Sequence, residues 1–271
     1  MKILVFDTFG GLCNQFYDIN CGLNFCIIHQ FRFTFRYCSF RNPNLTSWYN
    51  VGFKKLFDTS LFKPYEHLYI DFENLQLTNE NTYNFNGSCA NRLFTSDYLN
   101  EIQSIPQEYV VLKQFWSVYK FTTIICNIHS QIRPSVRLME LYHRIKIGIL
   151  QPDEQYNIIH YRYEIDFTRY FNVSVENLKD IISRIKPTFK RPDLRIYIAT
   201  SNIKEVIDLH NPEINQIIFT KNVDLLTEYN FEELAFVDYM FGIHANEVVG
   251  HNKSSFSHML NNIKGTNNYY N

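Results

Sequence analysis

The chain has 271 residues, 45% hydrophobic and 17% aromatic, with a formal net charge of −1. That is enough apolar material for one large domain or two small ones, and the charge balance lacks the broad basic field of a nucleic-acid binder. No stretch reaches the roughly 18 apolar residues that span a bilayer, and the opening run MKILVFDTFGG is too short for a signal peptide. A cytoplasmic protein is expected. The six cysteines, at 13, 21, 26, 38, 89 and 126, show no C-x-x-C pair and no metal-ligand spacing, and are expected as reduced core thiols.

The first half opens with a strand at 2–6, a Gly pair, and an apolar-periodic helix from about Asn14 to Gln30. RFTFRY (32–37) alternates as a strand. Residues 40–110 are aromatic but without a period that places their elements. A helix runs from Pro134, favoured at a first helical position, to about Ile147, and GILQPDEQ (148–155) reads as a linker.

The second half has a clearer rhythm. YNIIHYRY (156–163) reads as a strand. Ser174 is an N-cap candidate, and Leu178, Ile181, Ile182 and Ile185 follow at helical spacing until Pro187. Strands at 194–200 and 214–220 flank a short helix through Leu209. A helix over 231–245, a strand at 247–250 and a helix starting near Ser254 complete the alternation. Strands alternating with helices imply a parallel sheet covered on both faces. The expected architecture is α/β, in two halves at 1–150 and 151–271 with a cleft between them.

Three stretches and one residue carry candidate chemistry. FGGLCNQF (9–16) joins a strand to a helix through Gly10 and Gly11, where backbone can approach a ligand and the helix start favours an anion. A plain tight turn is the alternative. HYRYEIDF (160–167) puts His160, Arg162, Glu164 and Asp166 in one row when read with a period of two. Four ionisable groups in one row are costly unless they leave the sheet at its carboxyl end, where open α/β sheets bind ligands. Arg162 offers a planar fork suited to phosphate, and an ion-pair network is the alternative. HNKSSFSHML (251–260) sets Ser254 and Ser255 at a helix start, a phosphate cradle in form, with Phe256 able to stack on a base; an ordinary cap is the alternative. Asp238 falls on the apolar stripe of its helix, so it wants a partner: the N–H donors of a guanine, or a salt bridge.

These pieces, in this order, resemble the protein O-fucosyltransferase family, including its plant-type branch. G-G-x-x-N-Q is matched by Gly10 through Gln15, H-x-R-x-x-x-D by His160 through Asp166, and S-S-F by Ser254, Ser255 and Phe256. An aspartate ahead of a glycine shortly before the third motif is matched by Asp238 and Gly242. The resemblance implies a GT-B-type fold of two Rossmann-like halves with mostly parallel sheets. It also implies an inverting glycosyltransferase that moves fucose from GDP-fucose to a hydroxyl on a glycan or protein acceptor. Asn14 with Gly10 and Gly11 would face the sugar-diphosphate, and Arg162 would hold the β-phosphate. His160 and Asp238 would meet the base or ribose; Ser254 and Ser255 would bind phosphate beside Phe256.

Some relatives carry a catalytic carboxylate within the glycine motif where this chain has Gly11, so the base stays open among Asp18, Glu164 and Asp166. No D-x-D occurs, so neither a metal nor any other cofactor is expected. A transferase using rhamnose or another nucleotide sugar, and a nucleotide- or glycan-binding module without transfer activity, stand as alternatives.

Overall fold

The computed structural model describes residues 2–42, 47–85, 96–113, 131–163, 165–209, 217–222 and 224–270. It divides into two compact units, Met1–Ser135 and Val136–Asn271.

In the first unit, β1 (Ile3–Asp7) enters α1 (Leu12–His29) through the glycine turn. The strands β2 (Arg32–Arg41), β3 (Trp48–Gly52) and β4 (Thr82–Asn84), the helix α2 (Ser96–Ser104) and the strand β5 (Tyr109–Lys113) follow. The sheet order is β3-β2-β1-β5-β4. All neighbours are parallel except β2 and β3, which form an antiparallel pair. Every residue of β1 is buried, as a central parallel strand requires.

The aromatic segment after β3 resolves into three short 3-10 turns, Phe53–Lys55, Thr59–Tyr65 and Phe72–Asn74. Their rings complete the core: Phe35 stacks on Phe62 at 5.1 Å and on Phe53 at 5.1 Å. Cys13, Cys21, Cys26 and Cys38 are buried free thiols, and burial pushes the Cys21 and Cys26 thiols up. Cys89 and Cys126 lie outside the described residues.

The second unit begins with α3 (Val136–Ile149), β6 (Tyr156–His160), α4 (Ile165–Phe171), α5 (Leu178–Ile185) and β7 (Arg195–Ala199). It continues with α6 (Ile203–Ile207), β8 (Ile218–Phe219), α7 (Leu225–Glu228) and α8 (Phe231–His244). It ends with β9 (Val248–His251), α9 (Ser255–Lys264) and β10 (Tyr269–Tyr270). The sheet is parallel throughout, in the order β10-β9-β6-β7-β8. A cluster of Ile159, Ile181, Ile182, Ile185, Ile196 and Ile198 fills one face.

Three expectations are corrected. The division falls at Ser135 rather than at 150, because α3 packs on α8: Arg137 pairs with Glu233, and Tyr142 meets Phe241 at 5.0 Å. The cap of α5 is Asn177, whose side chain accepts the Lys179 N–H at 2.8 Å, not Ser174. The strand at 156 ends at His160, and Asp166 stands in α4, so the four ionisable residues do not form one strand row.

Candidate functional site

The carboxyl ends of β6, β7, β8 and β9 all open on one edge of the second sheet. His160 is the last residue of β6, and Arg162 lies just beyond it. Tyr270 fixes the path between them: its hydroxyl donates to the His160 carbonyl at 2.7 Å and accepts the Arg162 N–H at 3.3 Å. Alternation persists past the strand, with Tyr161 and Tyr163 buried and Arg162 half-buried. The Arg162 guanidinium lies 5.3 Å from the Phe167 ring centroid and 6.0 Å from that of Phe231. The rings thus orient a cation at the sheet's edge.

The β9–α9 junction stands beside it. A Cβ on Gly250 would come within 2.6 Å of Ser257 Cβ, so glycine lets α9 approach the sheet. Ser257 Oγ then reaches His160 Nδ1 at 2.8 Å, and Phe256 lies 4.4 Å from the His160 ring. Ser254 is the N-cap of α9, yet its side chain makes no capping hydrogen bond, and the first turn holds no acidic residue. Ser255 is exposed. The helix start therefore presents N–H groups and hydroxyls without an internal anion.

Burial, with Arg162, His251 and Lys221 adding positive charge nearby, holds His160 well below the usual histidine range. The imidazole is neutral, so it can hydrogen-bond a polar ligand but cannot neutralise a phosphate. His251, 1% exposed, is likewise lowered by burial, Lys253 and Arg162. Its Nδ1 accepts the Lys253 N–H at 3.1 Å, while its buried Nε2 has no hydrogen-bond partner among the described residues.

Asp238 is held from two sides. Lys221 Nζ reaches its two oxygens at 2.8 and 2.6 Å, and Tyr197 donates to it at 2.7 Å. Lys221 also donates to the Thr200 carbonyl at 2.7 Å, so the sequence-distant partner that Asp238 required is a buried lysine at the end of β8. Lys221 carries no periodic or motif signal in the sequence; only the unpaired look of Asp238 pointed to something like it.

In the first unit, Gly10 adopts φ +91°, a left-handed conformation open to glycine, and a Cβ there would meet Asn14 Nδ2 at 3.1 Å. Gln15 is fully engaged. Its Nε2 donates to the carbonyls of Gly10 at 2.9 Å and Ser39 at 2.8 Å, while its Oε1 accepts from Thr8 Oγ1 at 2.8 Å and from Ser39 N at 3.1 Å. The Asn-Gln pair thus splits: Gln15 builds the turn, and Asn14 is half-buried beside it. Asp18 is buried and accepts the Phe9 N–H at 2.8 Å through one of its carboxylate oxygens. The Arg41 guanidinium, not anticipated from sequence, stands 3.1 Å from where a Cβ of Gly11 would lie.

The structure therefore brings His160, Arg162, Ser254, Ser255 and Phe256 to one edge, with Asp238 in its ion pair, and gathers Gly10, Gly11 and Asn14 at the turn of the other unit. Glu164 lies outside the described residues. Among the described residues, no group of three or more His, Cys, Asp or Glu side chains could hold a metal ion, and no helix is long and apolar enough to cross a membrane.

Two α/β units with these mostly parallel sheets make the GT-B-type fold that the motifs led us to expect. The structure of POFUT1 in complex with GDP is similar over 99% of this chain and 98% of its own, with a TM-score of 0.64 and 12% identity. POFUT1 in complex with GDP-fucose matches over 98% and 94%, with a TM-score of 0.62 and 11% identity. Fucosyltransferase NodZ from Bradyrhizobium matches over 96% and 92%, with a TM-score of 0.54 and 11% identity. No family model and no curated protein sequence matches the chain.

Proposed function

We propose that the protein is an inverting glycosyltransferase that transfers a sugar, fucose from GDP-fucose, to an acceptor hydroxyl. The observation that carries the reading is the edge of the second sheet, where Arg162, the uncapped start of α9 with Ser254 and Ser255, and Phe256 converge around a neutral His160. The GDP and GDP-fucose complexes of the POFUT1 structures that share this fold support the choice of donor.

In this reading the acceptor oxygen bonds to the anomeric carbon as the bond to the diphosphate oxygen breaks. The transition state has oxocarbenium character, as in other glycosyl transfers. Charge grows on the leaving phosphate, and preorganised donors aimed at that charge are the largest catalytic contribution in many enzymes. Arg162, the two serine hydroxyls and the first N–H groups of α9 are those donors. Phe256 flanks the base and His160 contacts base or ribose; Asp238, both of whose oxygens are engaged by Lys221 and Tyr197, fixes that buried pair rather than reading the base. Gly10, Gly11 and Asn14 serve the donor sugar. The acceptor's proton passes to a carboxylate, with Glu164 the first candidate and Asp166 the second.

Thermal shift with nucleotides tests the reading, because a ligand bound only by the folded state raises its stability by mass action. GDP and GDP-fucose are expected to raise the melting temperature more than UDP and UDP-sugars, and GDP-fucose to be turned over slowly by water without acceptor. A clear UDP preference would overturn the fucose assignment. Binding without any hydrolysis or transfer would favour a nucleotide-binding module. Turnover is expected to survive excess chelator, since protein groups alone neutralise the diphosphate; loss on chelation and recovery with magnesium or manganese would refute that part.

A further inference from the structure

The strand pair β2–β3 carries a feature that the proposed chemistry does not use. β2 pairs with β1 only as far as Tyr37 opposite Asp7, then continues to Arg41, where it pairs with Trp48 of β3. The end of this hairpin therefore overhangs the glycine turn after β1. Cross-strand partners share a face, and so do residues two apart on a strand. Arg41, Trp48 and Asn50 thus stand on the same face, the one that Ser39 turns toward the glycine turn through its hydroxyl bond to the Thr8 carbonyl at 3.0 Å.

The side chains at this corner are specific in kind. The Arg41 guanidinium lies 5.2 Å from the Trp48 ring centroid. Phe9, on the glycine turn, lies 5.5 Å from Trp48 at an interplanar angle of 49°. Trp48 keeps 37% of its surface exposed despite these two neighbours, and Asn50 is exposed beside it. An indole left open while pinned by a cation and a second ring is an exposed apolar surface with fixed orientation, which marks a binding site more than a solvated edge. It also lacks the row of charges with which natural edge strands are protected.

We infer that this corner is a carbohydrate subsite that takes one pyranose ring of a glycan acceptor. A pyranose has a C–H face and a rim of hydroxyls. Trp48 and Phe9 match the C–H face, the exposed Asn50 amide on the same strand face matches the rim, and the buried Arg41 guanidinium over the indole holds that ring in place. The assignment to the acceptor rests on the proposed transferase reading. The binding chemistry does not.

Tryptophan fluorescence reads the site directly, because the chain has two tryptophans, Trp48 and Trp116. Trp116→Phe leaves Trp48 as the reporter, and calorimetry on the unaltered full chain supplies a second measurement if that variant folds poorly. The probes are a panel of methyl hexopyranosides and linear oligosaccharides, with and without GDP. At least one oligosaccharide is expected to give a saturable change, with a dissociation constant on the order of 1 mM for a single small ring. Trp48→Ala is expected to weaken it about tenfold or more, and Trp48→Tyr to restore part of it, since the smaller aromatic keeps part of the apolar face. GDP-induced thermal shift is expected to be the same in Trp48→Ala as in the parent. No saturable sugar signal by either method, sugar affinity unchanged in Trp48→Ala, or saturation by aromatic peptides or free nucleobases but by no sugar would each overturn the subsite. Sugar binding that depends on Trp48 in a protein with no response to GDP would keep the subsite and defeat the transferase reading, so the two fail separately.

Discussion

The two sheet edges use glycine in the same way and polar groups in opposite ways. At each, a glycine admits a helix start close to backbone: Gly10 and Gly11 before α1, and Gly250 facing α9. At the first edge the polar groups turn inward. Gln15 spends both ends of its amide on Thr8, Gly10 and Ser39, and Asp18 holds Phe9. At the second edge the polar groups keep capacity. Ser254 does not cap its helix, Ser255 is exposed, and the buried His251 Nε2 is unmatched among the described residues. The Gln15 network is neutral and fully matched and fixes backbone, whereas in the proposed reading the open groups beside Arg162 receive a charged ligand. In the proposed reading the second edge therefore takes the diphosphate, and the glycine turn of the first serves the donor sugar.

The largest expected effect tests the ionic side of that contrast. Lys221→Met leaves the Asp238 carboxylate buried without its cation, where both side chains are now almost wholly enclosed. Breaking one partner of such a pair costs about 3–5 kcal/mol. In the neutral network, Gln15→Met strands the Ser39 N–H and two carbonyls at about 1–3 kcal/mol. Urea titration of both variants checks the order, and Lys221→Met with Asp238→Leu should recover much of the loss. An equal or reversed ranking would erase the distinction between the edges.

Arg162→Ala comes next and reads function rather than stability. Loss of one donor aimed at developing charge costs about 10²–10³ in rate, while the fold should stand, because the guanidinium is half-buried over the Phe167 and Phe231 rings. Arg162→Lys should rescue poorly for want of the planar fork. Arg169→Ala, outside the edge, should be mild. Steady-state transfer rates check all three. A folded Arg162→Ala protein with near-normal turnover would end the phosphate assignment, and one that unfolds would return Arg162 to a structural ion network.

What the sequence disclosed follows from range. The helix at 178–185 was legible because Leu178, Ile181, Ile182 and Ile185 carry a local 3.6 period and all four are buried. The glycine turn and the Ser254 helix start were legible as local motifs. The row at 160–167 was legible only in part. Period two continues through Tyr161 and Tyr163, both buried, although the strand has ended at His160 and a helix begins at Ile165. Alternation over a few residues does not separate a strand from an extended exit that turns into a helix. The 3-10 turns after β3 have no sustained period at all. Lys221 and Arg41 were illegible because each acts through a partner on another element. Asp238 showed that a buried carboxylate needed a cation, but not which one, since that depends on where β8 ends.

The smallest effect per increment is also the one most specific to the second edge. His160 and His251 are both held neutral by burial, with Arg162 among the charges acting on each; Lys221 adds to the effect on His160, and Lys253 to that on His251, against an opposing Glu176. The unfolded chain binds a proton at each imidazole near the ordinary value of about 6.5, and the folded protein does so only at lower pH. Their stabilisation is therefore present above about pH 6.5 and is lost as pH falls toward their folded-state values, because the unfolded state then holds more protons. Each such group contributes a slope of up to about 1.4 kcal/mol per pH unit below that point. His160→Gln, which keeps a polar partner for Ser257, is expected to be less stable at neutral pH and to lose stability less steeply below pH 6.5 than the parent. A first-unit substitution such as Gln15→Met should shift the whole curve without changing its slope. Chemical denaturation at a series of pH values separates the two. Parallel curves for His160→Gln and the parent would show that His160 does not titrate with folding, and would remove the neutral imidazole from the account of the second edge.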